Sequence, residues 1–147
     1  MAYVTKEDVE LRLGTRAYVQ LTDDAGSGSA DEAVVAAALA EAEGEVDSYL
    51  ARRHRVPIDV VAHAEVGPVL AAVTLDVVEY RLNARRPPVP ADVAARYRAA
   101  LAWLAAVGSG EAVLPAAAPL PGSTATGTVA AAAGDATVLG RDELAGL

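Results

Sequence analysis

The side chains that could do chemistry in this sequence are few, and their spacing converges on no reaction. His54 and His63 are separated by a proline, and neither the Glu-x-x-His nor the His-x-x-x-His spacing of a helical metal site occurs. The 147 residues contain no cysteine, which excludes thiolate catalysis, iron–sulfur ligation and disulfides. We therefore expect no catalytic residues, no metal and no cofactor, and we predict that the protein is not an enzyme.

The segment from Asp23 to Asp31 comes closest to a metal-binding pattern. These two aspartates occupy ligand positions of a calcium-binding loop, but Val34 stands where the bidentate glutamate is required. Two carboxylates are too few for such a site. The segment is typical of a turn that precedes a helix.

A second group of acids alternates with other residues between Glu41 and Asp47. Alternate residues on a helix lie about 200° apart, so neighbouring acids in this group cannot converge on one substrate. Glu41 and Glu45, however, share a face. Such a face is typical of a surface in contact with solvent or with another subunit.

The elements that must position these residues are helices, because apolar residues recur at intervals of three and four along most of the chain. The predicted helices extend from Thr5 to Gly14, from a Ser29–Glu32 capping box to about Arg53, from Gly67–Pro68 to about Asn83, and from Ala91 to Val107. We expect an all-α fold, a four- to five-helix bundle over residues 1–114.

The helix that begins at Gly67 is apolar around about 240° of its circumference, whereas a helix at the edge of a bundle needs an apolar stripe only somewhat wider than 100°. Leu75, Val78 and Leu82 form the second of its two apolar faces. The helix is therefore either central to the fold or covered by a second subunit.

Charge is unevenly distributed along the chain, whose net charge is −8. Residues 1–50 carry 11 acids against 3 bases, whereas residues 51–100 carry 5 against 8. This asymmetry favours pairing between the basic middle of one subunit and the acidic first third of another. The predicted subunit interface contains Leu75, Val78, Leu82, Arg52, Arg53, Arg85, Arg86, Glu41 and Glu45.

Residues 115–147 are rich in alanine, glycine and proline and have too few large side chains to build a core, which predicts an extended, low-complexity C-terminal arm. The prolines within its long uncharged stretch argue against a membrane helix. The acidic beginning of the chain lacks the pattern of a secretory signal, so we expect synthesis in the cytoplasm. The residues predicted to dock the arm on a partner or neighbour are Leu120, Val138, Leu139, Arg141, Asp142, Leu144 and Leu147.

Several segments together resemble the Mu-type family of phage and prophage head-completion proteins, which are similar to the head–tail connector (adaptor) proteins of tailed phages. The likeness is carried by residues 1–5, by Gln20-Leu-Thr-Asp with the glycine-rich loop, by residues 45–57 and 76–82, by Arg96-Tyr97, and by residues 140–147. Ala25 and Ser27 stand where relatives often carry carboxylates.

The resemblance implies a virion protein of the neck. It would form a homo-oligomeric ring, commonly of twelve subunits, that lies beneath the portal protein. A neck (stopper) or tail-terminator protein would lie below the ring, and DNA would pass through its lumen without sequence recognition. An acidic lumen would repel DNA, which agrees with the sign of the net charge. The main alternative is a small helical DNA-binding or regulatory protein, which would need the arginine clusters on one face; a cryptic enzyme is a third.

Overall fold

Five α-helices and no strand occur between residues 2 and 114, the part of the chain that the structure, a computed structural model, describes. The helices are α1 (Lys6–Leu13), α2 (Thr15–Thr22), α3 (Glu32–Leu50), α4 (Gly67–Ala84) and α5 (Ala91–Ser109). The predicted all-α fold is confirmed. The predicted arm, residues 115–147, lies outside the described residues.

The first helix begins and ends where the sequence predicts. The Thr5 side chain accepts a hydrogen bond from the Asp8 amide, and the Asp8 carboxylate accepts one from the Thr5 amide, which completes a capping box. Gly14 ends α1 with φ of 78°, a value that favours glycine, and α2 follows directly. The sequence did not predict α2, which is only two turns long and buries only Tyr18 and Thr22.

The third helix is capped by Asp31, and the predicted capping box at Ser29 is wrong. The Asp31 carboxylate accepts a hydrogen bond from the Ala33 amide at 2.9 Å, so the helix begins at Glu32. Both residues are good N-caps, and the sequence spacing alone favoured the earlier one. The helix ends at Leu50, and a turn continues to Arg53.

The fourth helix is the centre of the fold and contacts each of the other four. Pro68 lies in its first turn, as predicted, and the helix runs to Ala84. Its buried residues span about half of its circumference, about 180° at 100° per residue, which is wider than the stripe of an edge helix. They are Leu70, Val73, Thr74, Val77, Val78 and Leu82. Among residues 2–114, no helix is long and apolar enough to cross a membrane.

Candidate interaction surfaces

The apolar residues predicted for a subunit interface belong instead to the core of the single protomer. Val78 and Leu82 are 0 % exposed, and Leu75 is partly buried against the same core. The prediction is corrected for Val78 and Leu82, because the helices around α4 already cover its second apolar face. Of the two alternatives that the sequence left open, the central position is the one found.

The acids of α3 that were predicted to meet a neighbouring subunit are paired within the chain. Arg81 donates to Glu41 Oε2 and to Glu45 Oε2, each at 2.8 Å. Tyr97 of α5 donates to the other oxygen of Glu45 at 2.9 Å and stacks on Tyr80 with a ring separation of 3.9 Å. Burial and the hydrogen bond to Glu45 raise the pKa of Tyr97 to about 12. This cluster joins α3, α4 and α5.

The arginine pair that follows α4 is also paired within the chain. Arg85 binds Asp24 Oδ2 at 2.5 Å and donates to the Leu21 carbonyl at 3.1 Å. Arg86 binds Asp24 Oδ1 at 3.2 Å and donates to the Asp23 carbonyl at 2.9 Å. The hydrogen bond and charge of Arg85 lower the pKa of Asp24 below its ordinary value. Both guanidinium groups therefore fix the loop that leads from α2 to α3.

The loop itself uses its remaining carboxylate internally. Asp23 accepts hydrogen bonds from the Ser27 amide at 3.0 Å and from the Gly28 amide at 2.7 Å. These amide hydrogen bonds lower the pKa of Asp23. Within the described part of the chain, no group of three or more acids or histidines is arranged to hold a metal ion.

A second ion-pair network covers the narrow polar strip of α4 and was not predicted. Arg12 of α1 binds Asp76 at 2.6 Å, and Arg96 of α5 binds Glu79 at 2.8 Å. The Glu79 side chain is only 12 % exposed. The only signal in the sequence is a pair of acids on an otherwise apolar helix, which requires cations from other elements when that helix is buried.

Tyr3 anchors the beginning of the chain to α3, and sequence reasoning also missed this role. Its hydroxyl donates to Asp47 Oδ1 at 2.6 Å and accepts from the Ile58 amide at 2.8 Å. Its own amide donates to Glu43 at 2.8 Å. Burial and the hydrogen bond to Asp47 raise the pKa of Tyr3 far above its ordinary value.

The arginines after α3 lie at the opposite end of the bundle from Arg85 and Arg86. Arg81 contacts Glu41 and Glu45, whereas Arg85, one turn later, lies beside residues near the start of α3. The two helices are therefore antiparallel, and the end of α3 is far from the end of α4. Arg53 donates to the Ser109 carbonyl at 3.4 Å, whereas Arg52 is exposed. The two predicted arginine clusters are therefore separate surfaces, about 28 Å apart along a helix of this length.

The exposed surface offers an open groove and three isolated apolar side chains. The groove, with a volume of about 430 Å³, lies between α3 and the end of α4, and Ala33, Ala37 and Arg85 are among the residues that line it. The large apolar side chains exposed among residues 2–114 are Leu11 (86 %), Val61 (74 %) and Val113 (81 %).

The residues predicted to dock the arm all lie outside the described residues, so their role stays a prediction. Their positions are Leu120, Val138, Leu139, Arg141, Asp142, Leu144 and Leu147.

Comparison with known proteins gives one family. No curated protein matches the chain. The family model described as "Bacteriophage Mu, Gp36" matches residues 3–133, which include the whole five-helix bundle and part of the predicted arm but not its last residues. Since the match extends over most of the sequence, this chain belongs to the bacteriophage Mu Gp36 family.

Proposed function

We propose that this protein is a head–tail connector, a ring of identical subunits between the portal and the neck or tail of a phage particle. The observation that carries the proposal is the family match over residues 3–133. As a member of this family the chain is a phage structural or morphogenesis protein, with a virion or phage-associated location. The connector role, the ring and its contact with the portal are the steps that we propose beyond this.

The ion pairs between the helices of the bundle suit a protein with a structural role. The Arg12 and Arg96 pairs tie α1 and α5 to α4, and the Arg81 pairs tie α3 to α4. Each ion pair requires a particular distance and orientation of its two groups, so these pairs help to define how the helices pack. Helices joined in this way suit a structural role.

The pairing of arginines with carboxylates supports passage of DNA through the proposed ring without binding. Five of the arginines in the bundle have carboxylate partners: Arg12, Arg81, Arg85, Arg86 and Arg96. A cation that already neutralises a carboxylate adds little attraction for phosphate, and the net charge of −8 repels the DNA backbone.

The alternative, a small DNA-binding or regulatory protein, has no observation in its favour. It would need the two arginine clusters on one face, but Arg52 and Arg85 lie at opposite ends of the bundle. Arg85 and Arg86 are also bound to Asp24. A mobility shift with steep salt dependence would revive this alternative.

Deletion of the gene in the phage that encodes it tests the connector role directly. We expect heads that package DNA but do not carry tails, and restoration of tailed particles when the wild-type protein is supplied in trans. The matched control supplies Arg98→Glu protein, which changes an exposed arginine of α5 that has no ion-pair partner among the described residues. Normally tailed, infectious particles without the protein would contradict the proposal.

Attachment through the arm has its own test. A chain that ends at Leu114 keeps all five helices and the core residues that they share, from Tyr3 to Leu114, so it should remain folded. We expect this shortened protein to lose attachment to purified portal. Equal attachment by the shortened and full-length proteins would refute a role for the arm and leave the ring to be judged by its own assay.

A further inference from the structure

Within the described residues, two surface patches of opposite charge have no ion-pair partner. The acidic patch consists of Glu7, Glu10 and Leu11 on α1. The basic patch consists of Arg52, Arg55 and Val113 at the end of the bundle where α3 and α5 finish. Each patch combines unpaired charges of one sign with a large apolar side chain that is more than four-fifths exposed, Leu11 at 86 % and Val113 at 81 %.

The acidic patch contains the charged side chains of α1 that make no ion pair or hydrogen bond with other described residues. Lys6 is paired with Glu32, Asp8 closes the capping box with Thr5, and Arg12 is paired with Asp76. The side chains of Glu7 and Glu10 form no ion pair or hydrogen bond with any residue between 2 and 114. Leu11 lies on the side of α1 opposite to the buried Val9, so the patch faces away from the core.

The basic patch lies where the ends of α3 and α5 approach each other closely. A methyl group placed on Gly108 would lie 2.9 Å from the Tyr49 carbonyl oxygen and 3.2 Å from Arg52 Cδ, so Arg52 rests on the last turn of α5. Val113 follows that turn. Arg52 and Arg55 are exposed and have no ion-pair or hydrogen-bond partner in the described part of the chain. Glu111 lies two residues before Val113, so this end of the bundle carries two positive charges of the patch against one negative charge.

We propose that the acidic patch of one copy docks on the basic patch of the next copy. This contact rests on the proposed ring and specifies its subunit interface. The complementarity is one of charge and of apolar surface: two carboxylates meet two guanidinium groups, and Leu11 and Val113 lose contact with water together. In contrast, Arg81, Arg85 and Arg86 have carboxylates of their own chain.

Charge favours a contact between unlike patches. A two-fold contact of either patch with itself would place like charges opposite each other, which is unfavourable. Within the described part of one copy the patches do not pair, because neither Glu7 nor Glu10 forms an ion pair with the arginines of the basic patch. Of the contacts that join unlike patches, the proposed ring requires the head-to-tail one. A head-to-tail contact between different surfaces closes into a ring when the rotation between copies permits.

Charge reversal tests the contact. One variant, Glu7→Lys with Glu10→Lys, reverses the acidic patch, and the other, Arg52→Glu with Arg55→Glu, reverses the basic patch. Sedimentation velocity across a concentration series should show self-association of the wild type and its weakening by about tenfold or more in each variant. Arg98→Glu is the matched control and should associate like the wild type, and thermal melts should show that every variant is folded.

Mixing the two variants gives the decisive result. Each variant keeps one native patch and carries one reversed patch, so an alternating assembly pairs every patch with one of opposite charge. We expect the equimolar mixture to recover wild-type association. A mixture that stays dissociated, a variant that associates like the wild type, or a wild type that remains monomeric up to its solubility limit would each overturn the contact.

Failure of this contact and failure of the proposed function give different results. If the contact is wrong but the connector role is right, phage with the reversed basic patch produce normally tailed particles, while phage without the gene do not. If the connector role is wrong, phage without the gene produce tailed particles whatever the sedimentation result.

Discussion

Leu82 offers the clearest test of whether α4 is a core helix or an interface helix. Its side chain is 0 % exposed within the protomer. Leu82→Ala removes three carbons from the core, each worth about 0.8 kcal/mol of transfer free energy, and leaves a cavity. The total loss in the free energy of unfolding should be about 2–5 kcal/mol. At roughly 4 °C per kcal/mol for a domain of this size, Tm should fall by about 8–20 °C.

Differential scanning calorimetry at several protein concentrations is the appropriate assay, with Val61→Ala as the control. Val61 is 74 % exposed and lies outside both charged patches, and its replacement should change the free energy of unfolding by at most about 0.5 kcal/mol. Because the loss at Leu82 arises inside one protomer, it should be the same at every protein concentration. A variant whose Tm equals that of the wild type when dilute, and whose only defect is weaker self-association, would refute the placement of Leu82 in the core.

Three further changes address the glycines, the anchor at Tyr3 and the loop before α3. Gly44→Ala should raise the free energy of unfolding by about 0.5–1 kcal/mol, because nothing lies within 4 Å of the added methyl group. Gly108→Ala should lower the free energy of unfolding, because the methyl group would lie 2.9 Å from a backbone oxygen. Equal effects of the two variants in urea titrations would contradict this reasoning. Tyr3→Phe should cost about 1–3 kcal/mol, because the buried Ile58 amide loses its acceptor, and an unchanged urea midpoint would contradict that role. Arg85 lowers the pKa of Asp24 below the ordinary 3.8, so this pair stabilises the fold above about pH 4 and its contribution is lost as the pH falls through the lowered value. The difference in Tm between wild type and Asp24→Asn should therefore shrink from pH 6 to pH 2, and a constant difference would contradict the pairing.

Local signals in the sequence predicted most helix boundaries. Thr5, Pro68 and Gly110 act within one helical turn, through a side-chain cap, a fixed φ and a left-handed residue, so their effect can be foreseen without knowledge of the fold. The capping box at Ser29 failed because Asp31 is an equally good cap two residues later. Which residue caps the helix depends on where the preceding loop is held, and Arg85 and Arg86 hold that loop from a distant part of the chain.

The residues that cover the wide apolar arc of α4 could not be predicted. A sequence shows that an apolar surface must be covered, but it does not show whether the covering residues belong to the same chain. Leu75, Val78 and Leu82 have the same spacing whether their neighbours come from the same chain or from another. The short α2, with two buried residues, contributes one of the covering surfaces, and its apolar pattern is too brief to be recognised. The sequence predicted the arc and left open whether the fold or a second subunit covers it. The assignment of Val78 and Leu82 to a subunit interface was wrong, because both are buried in the protomer.

The same reasoning explains why charge counts alone do not locate an interface. Arg52 and Arg85 belong to clusters that are indistinguishable in composition, yet antiparallel packing of α3 and α4 brings Arg85 to Asp24 and leaves Arg52 at the other end of the bundle. A cation whose carboxylate lies in its own chain gains little from a second partner, because it has already lost part of its hydration and conformational freedom to the first. An unpaired exposed cation beside an exposed apolar side chain still gains from a partner on both counts. Assembly should therefore depend on charged side chains that have no ion-pair partner among the described residues of their own chain. Arg52 and Arg55 meet that condition, whereas Arg85 and Arg86 do not.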